Sequence, residues 1–358
     1  MRAHNFGAGP CTLPEDVLAE ARDEFLDYAG TGMSVVELSH RSAEYEQLHQ
    51  RTLDLTRAVS GAPDDFDILF IQGGATLQFS MIPMNLLAEG QRAGYVVSGS
   101  WGTKALANAR PYGDVYAAWD GADVDYAAMP DAGDVVVEAG SRYLHITTNE
   151  TIGGIRMVEF PDTDVPLVGD MSSEYLARPI DWKRYDLVYG GVQKNLAPAG
   201  MAVVFVRKSS LGSGGRELGD YLSYGFHAES DSLGNTPPMF PIYIMEKVLS
   251  RIDARGGVET LERESAEKAA VLYAAIDDSD GFYRNPVKVR DRSHMNVVFR
   301  LPSTELESRF VAEATAGGLI GLKGHRSVGG LRASLYAALS IDSVHALVEF
   351  MRDFRATA

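Results

Sequence analysis

Seven short apolar segments between residues 67 and 206 limit what this chain can fold into. They are DILFI (67–71), GYVVSG (94–99), DVYAAW (114–119), YLHITT (143–148), VPLVGD (165–170), DLVYG (186–190) and MAVVFV (201–206). Most are apolar throughout rather than alternating, which suits strands covered on both faces. Several spacers are long enough for crossover helices, and Ala75 to Leu87 reads as one. Strand and helix in alternation predict an α/β fold built on a doubly wound, mostly parallel sheet. MAVVFV follows DLVYG too closely for a crossover helix, so it is expected to run antiparallel.

Before the first of these segments, Thr12 and Pro14 open a helix whose apolar positions are Val17, Leu18, Ala21, Phe25 and Tyr28, with Gly30 and Gly32 to stop it. A second helix covers Ala43 to Val59 and ends at Ser60-Gly61. From about residue 241 the pattern changes. A helical stretch there leads to another at 258–276, then a strand at 294–301, a helix at 304–318, short strands near 320 and at 331–335, and a closing helix at 341–355. This reads as a separate, smaller α+β domain, in keeping with a length of 358 residues.

Charge and composition exclude several functions. Asp and Glu number 49 against 33 Lys and Arg, for a net charge of −16, which repels nucleic acid and anionic lipid. The single cysteine, Cys11, rules out an intrachain disulfide framework or a multi-cysteine metal cluster. No apolar run reaches membrane-spanning length, and the first residues lack the apolar core of a signal peptide. A reducing cytoplasm is therefore the expected location, with no membrane, nucleic-acid or metal partner. GxGxxG, P-loop, HExxH and GxSxG motifs are absent.

The residues that could carry chemistry fall just after predicted strands. Asp170 ends VPLVGD, which puts a carboxylate at the carboxyl edge of the sheet, where open α/β folds bind ligands. Taken alone it reads better as a helix N-cap, because Ser172 and Ser173 follow. Lys194 lies in YGGVQKNLAPAG (189–200), where Gly190 and Gly191 supply a turn at the strand's end. A lone lysine there is usually a solvated charge, but the small residues around it imply tight packing. A lysine so held has a lowered pKa and can attack a carbonyl. In IQGGATLQF (71–79) two glycines precede a helix start near Ala75, whose free N–H groups suit a phosphate. Trp101, in SGSWGTKA, is a core aromatic or a ring on which a flat cofactor stacks. A lysine, an acid, a stacking ring and a phosphate cup are together what pyridoxal phosphate needs.

At this point the chain resembles the phosphoserine aminotransferases, class V pyridoxal-phosphate-dependent aminotransferases of fold type I. The likeness rests on FGAGPCTLP, ELSHRS (37–42), QGGATLQF, SGSWG, TTNETIGG (147–154), GDMSSEYLARPID (169–181), YGGVQKNLAPAG, NTPPMFPIY (235–243), SHMNV (293–297) and KGHRSVGGLRASLY (323–336). These run in order along nearly the whole chain.

The resemblance implies a mostly parallel seven-stranded sheet with helices on both faces and a smaller C-terminal α+β domain. It divides the chain into an N-terminal segment (1–14) packing with the small domain, a large cofactor-binding domain (15–255) and the small domain (256–358). Lys194 is then the Schiff-base lysine and Asp170 the partner of the pyridine nitrogen. Trp101 stacks on the ring, Thr151 bonds its phenolic oxygen, and Ala75, Thr76 and Gln193 hold the phosphate. Asn235 and Thr236 reach the cofactor of the other subunit of a homodimer. Arg332 takes the substrate α-carboxylate, and His40, Arg41, His325 and Arg326 take the distal phosphate or carboxylate.

The reaction so implied moves the amino group of L-glutamate to 3-phosphohydroxypyruvate, giving O-phospho-L-serine and 2-oxoglutarate in serine biosynthesis. The resemblance leaves 4-phosphohydroxythreonine, in pyridoxine biosynthesis, open as a second substrate. One departure stands out: Thr76 occupies a position where some members carry arginine, which leaves anion binding more dependent on the two His-Arg pairs. Other pyridoxal phosphate reactions on this fold, such as cysteine desulfuration, are the nearest rivals, but Cys11 is far from any mobile catalytic loop. A binding protein that keeps the fold without the chemistry is disfavoured by Lys194, Asp170 and Arg332.

Overall fold

The computed structural model describes residues 2–358, beginning with a two-residue strand, β1 (His4–Asn5), and helices α1 (Glu15–Glu24) and α2 (Ala43–Ser60). The large unit continues through β2 (Phe66–Gln72), α3 (Gly74–Leu86), β3 (Arg92–Val97), α4 (Ser100–Ala109), β4 (Asp114–Asp120) and β5 (Ser141–Thr147). A small antiparallel hairpin, β6 (Asn149–Glu150) and β7 (Ile155–Arg156), leads to β8 (Leu167–Asp170), β9 (Tyr185–Gly191) and β10 (Met201–Arg207). Helices α5 (Tyr224–Glu229), α6 (Met239–Ala254) and α7 (Gly257–Asp277) follow. The chain closes with β11 (Asn296–Phe299), α8 (Thr304–Ala316), β12 (Leu319–Ile320), β13 (Leu331–Ser334) and α9 (Ile341–Thr357).

The seven long strands form one sheet in the order β2-β10-β9-β8-β5-β3-β4. Every pairing is parallel except those of β10, which is antiparallel to both β2 and β9. MAVVFV runs as the short connection requires. The continuously apolar strands are covered on both faces. Ile68, Phe70, Val188, Val203 and Phe205 point into the core on one side, and Leu69, Ile71, Leu187, Val204 and Val206 into the core on the other. Each such side chain, fully buried, contributes about 1.5–3 kcal/mol.

Two local readings are corrected. Gly190 and Gly191 do not turn the chain; they are strand residues of β9, opposite Val203 and Ala202 of β10. Gly190 is small because a Cβ there would lie 2.8 Å from the Tyr175 ring. The first helix also stops at Glu24, short of Phe25 and Tyr28. Ala29 adopts a left-handed conformation (φ 53°), and Asp27 accepts a hydrogen bond from the Gly32 amide, so the turn begins earlier than the glycines suggest.

The C-terminal elements gather around a second core that includes Leu272, Phe299, Phe310, Leu331 and Phe354. The N-terminal segment joins it, with Phe6 buried there and β1 pairing in parallel with β12. Helix α7 reaches both cores, placing Val258 and Leu261 in the first and Leu272 and Ile276 in the second.

Candidate functional site

Parallel strands present their carboxyl ends along one edge, and the chain puts its reactive groups there. β8 ends at Asp170, and a short turn after β9 (Val192–Lys194) carries Gln193 and Lys194. Gly73 and Gly74 follow β2 and precede Ala75 and Thr76, Trp101 follows β3, and Thr151 follows the hairpin strand β6. All of these except Gly73 and Gly74 are residues the sequence singles out. They line one cavity of about 520 Å³, together with His325 and Arg332 from the C-terminal unit.

Lys194 is the centre of that cavity. Its Nζ donates a hydrogen bond of 2.7 Å to Thr151 Oγ1 and stands 5.2 Å from the middle of the Trp101 ring. Burial lowers its pKa to about 8; the charges of Asp170 and Glu150 pull it back up, and that of Arg332 pushes it further down. A large fraction is therefore a neutral amine at mildly alkaline pH, the form that acts as nucleophile or base. Asp170 is also buried. Its Oδ1 accepts from the Ser172 amide at 2.9 Å and the Ser172 hydroxyl at 2.6 Å, and that hydroxyl in turn accepts from the Gly191 amide at 3.1 Å. The cap-like turn expected of Asp170 is present, but no α-helix follows it. The carboxylate lines the cavity.

The opposite wall fits a planar, anionic ligand. Trp101 shows its ring to the cavity, and its Nε1 is buried without a hydrogen-bond partner among the described residues. Gly73 and Gly74 take left-handed conformations (φ 97° and 68°), and no side chain caps the start of α3. The amides of that first turn are left free for an anion. Arg332 pairs with no carboxylate among the described residues. Its Nη1 donates to the Thr151 carbonyl at 3.2 Å, leaving most of the guanidinium for a ligand.

Other expected residues stand apart. His40, Arg41, Arg326, Asn235 and Thr236 do not line this cavity, and Arg41, Arg326 and Thr236 are exposed. Thr236 lies near its rim, its carbonyl accepting from Gln72 Nε2 at 2.8 Å. His325 lines the cavity, with Nδ1 2.7 Å from Ser327 Oγ, and its pKa is lowered by burial and by Arg332, Arg326 and Lys104. A neighbouring cavity of about 450 Å³ shares Ile152, His325 and Arg332 but contains neither Lys194 nor Asp170.

Ser172, which in sequence suggests only a helix cap, instead fixes Asp170. Glu150, buried against the Trp101 and Gly102 amides, carries no signal in sequence, since an acid in a polar stretch is commonplace.

The family model described as aminotransferase class-V matches residues 3–347. The chain is a class-V aminotransferase. Among its relatives, the phosphoserine aminotransferase of Niallia circulans is 48% identical over 355 residues, covering 99% of this chain and 98% of that protein. That of Bacillus subtilis is 46% identical over 354 residues, covering 99% and 98%. The solved phosphoserine aminotransferase from Bacillus circulans subsp. alkalophilus superposes with a TM-score of 0.97 at 48% identity, over 99% of each chain. A PLP-bound phosphoserine aminotransferase from Trichomonas vaginalis gives 0.93 at 34% identity, covering 98% of this chain and 100% of that one. The class-V aminotransferase fold, with its mostly parallel sheet, is thus common to this chain and to these proteins.

Proposed function

We propose that this class-V aminotransferase carries pyridoxal 5′-phosphate and transfers the amino group of L-glutamate to 3-phosphohydroxypyruvate. The carrying observation is the buried Lys194 amine, bonded to Thr151, in one cavity with Asp170, Trp101 and the free amides of α3. When bound, the cofactor supplies an aldehyde that carries the amino group and an electron-withdrawing ring that stabilises charge at the substrate α-carbon.

The chain's residues do the rest. Lys194 would hold the cofactor through Nζ, and its amine, neutral in part because its pKa is lowered, would move a proton at the substrate α-carbon as general base and acid. Asp170 pairs with the ring nitrogen and keeps its proton in place. Trp101 would stack on the ring, Thr151 would bond its phenolic oxygen, and Ala75, Thr76 and Gln193 would take the phosphate. Arg332 grips the α-carboxylate, because a planar guanidinium matches a carboxylate with two parallel bonds. His325 meets the distal anion, and Arg326, next to it in the chain but outside the cavity, adds positive charge.

The active form is a homodimer. Asn235 and Thr236 reach the partner's cofactor, and His40 and Arg41, outside the cavity of their own chain, face the partner's site. Exposure of Leu26 (81%), Met33 and Val36 near that pair supports a covered surface there.

Steady-state assays with 3-phosphohydroxypyruvate and with unphosphorylated hydroxypyruvate test this reading. A strong preference for the phosphorylated acceptor is expected; equal use of both overturns the substrate assignment. Colourless purified protein that takes up no added pyridoxal phosphate overturns the cofactor.

A further inference from the structure

Glu150 has no part in the reaction as set out above, yet it is the most deeply buried acid near the site, with no exposed surface. It sits on β6, immediately before Thr151. Its carboxylate accepts hydrogen bonds from the amides of Trp101 (3.2 Å to each oxygen) and Gly102 (2.9 Å). These are free N–H groups of the first turn of α4, whose cap position, Gly99, offers no side chain. A carboxylate forty-nine positions further along the chain thus does the work of the missing cap.

The packing leaves the carboxylate little freedom. A Cβ on Gly99 would fall 2.7 Å from Glu150 Cδ. Two adjacent residues therefore tie the site together. Glu150 holds Trp101 by its backbone, while Thr151 bonds Lys194 through its hydroxyl and Arg332 through its carbonyl. Trp101 has no hydrogen bond from its ring; the indole rests against Phe79 and Lys104, and the backbone anchor fixes the main chain from which it projects.

We propose that Glu150 is a positioning residue of this site: seated on the Trp101 and Gly102 amides, it fixes the stacking ring and places a negative charge beside Lys194. Burial raises the Glu150 pKa to about 7; the two amides lower it, Asp170 raises it and Lys194 lowers it. Tyr126 also feels its charge. Above neutral pH the ionised carboxylate draws the Lys194 pKa upward, against the effect of burial. The role rests on reading the cavity as a pyridoxal phosphate site.

The test uses apo-protein of the parent, Glu150→Gln, Glu150→Asp and Gly99→Ala, mixed with pyridoxal phosphate over a range of pH. Two quantities are read: quenching of tryptophan fluorescence, which gives affinity and ring placement, and the pH midpoint of the uptake rate, which follows the neutral Lys194 amine. In Glu150→Gln the midpoint should fall by about half a unit or more, since a neighbouring negative charge is lost. Affinity should weaken about tenfold, the effect of about 1.4 kcal/mol. Glu150→Asp, which keeps the charge but cannot reach both amides, should restore the midpoint without restoring the quench. Gly99→Ala keeps the Glu150 side chain but pushes its carboxylate off the two amides, and should weaken the quench even if the Glu150 variants do not fold. Variants that match the parent in both quantities overturn the positioning role. A parent that takes up no pyridoxal phosphate overturns the function reading instead.

Discussion

Lys194 shows how a single side chain acquires a role from its surroundings. Its ordinary pKa is 10.5, and burial brings it to about 8 in the folded protein. Between those values the unfolded chain binds a proton that the folded chain does not, so stability rises with pH there and is lost as pH falls through 8. Apo-protein should therefore lose Tm between pH 10 and pH 7.5, and Lys194→Met should flatten that slope while abolishing transamination. An unchanged slope in the variant would assign the dependence elsewhere. Glu150 works in the opposite sense in a lower window: its raised pKa means stability falls as pH rises through about 7. Arg332 can be tested separately. Arg332→Ala should lower kcat/KM about 30- to 150-fold, the loss of charge-assisted bonds of about 2–3 kcal/mol. Because both substrates carry an α-carboxylate, the loss should appear with glutamate and with the keto acid; a loss with only one would move Arg332 to the distal group. In sequence, the apolar runs placed Asp170, Trp101 and Lys194 at one edge of the sheet. Each taken alone read as a cap, a core ring or a surface charge, and only their combination and the family resemblance suggested a shared site. Glu150 was not legible, since its purpose is set by Trp101, which approaches only through the fold.

At the scale of elements, the strands were legible and the glycines were misread. A strand buried on both faces writes a continuous apolar run, so all seven could be located and the direction of β10 followed from its short connection. A glycine has no such signature. Turn and close packing both select it, and only Tyr175, lying across β9, tells them apart for Gly190. Gly190→Ala should force the Tyr175 ring or the strand to shift. A cost of about 1–3 kcal/mol is expected from overpacking, read as a lower midpoint in urea with an unchanged slope. Since Lys194 lies four positions along the same chain segment, cofactor retention should weaken with it. A fully stable Gly190→Ala protein would return the glycine to a turn role. The end of α1 was missed for a related reason: Ala29 takes a left-handed conformation without being a glycine, and no residue type announces that.

At the scale of the whole molecule, the chain's net charge of −16 opposes the approach of two anionic substrates, and the site answers it locally with cations. Within one chain that answer is incomplete. Arg332 and His325 line the cavity, while His40, Arg41, Asn235 and Thr236 lie outside it. If the latter four serve the partner's site, each site of the dimer draws on both chains, and defects on different chains can be sorted into one ruined site and one whole one. Lys194→Ala and Arg41→Ala should each be nearly inactive as pure proteins. Unfolded together and refolded as a mixture, they form heterodimers in which Lys194 of one chain meets Arg41 of the other. Random pairing makes about half the dimers mixed with one intact site in each, so activity should recover to about a quarter of the parent's. If Arg41 served its own chain's cavity, no arrangement of the two variants would assemble an intact site, and the mixture would stay as inactive as its parts.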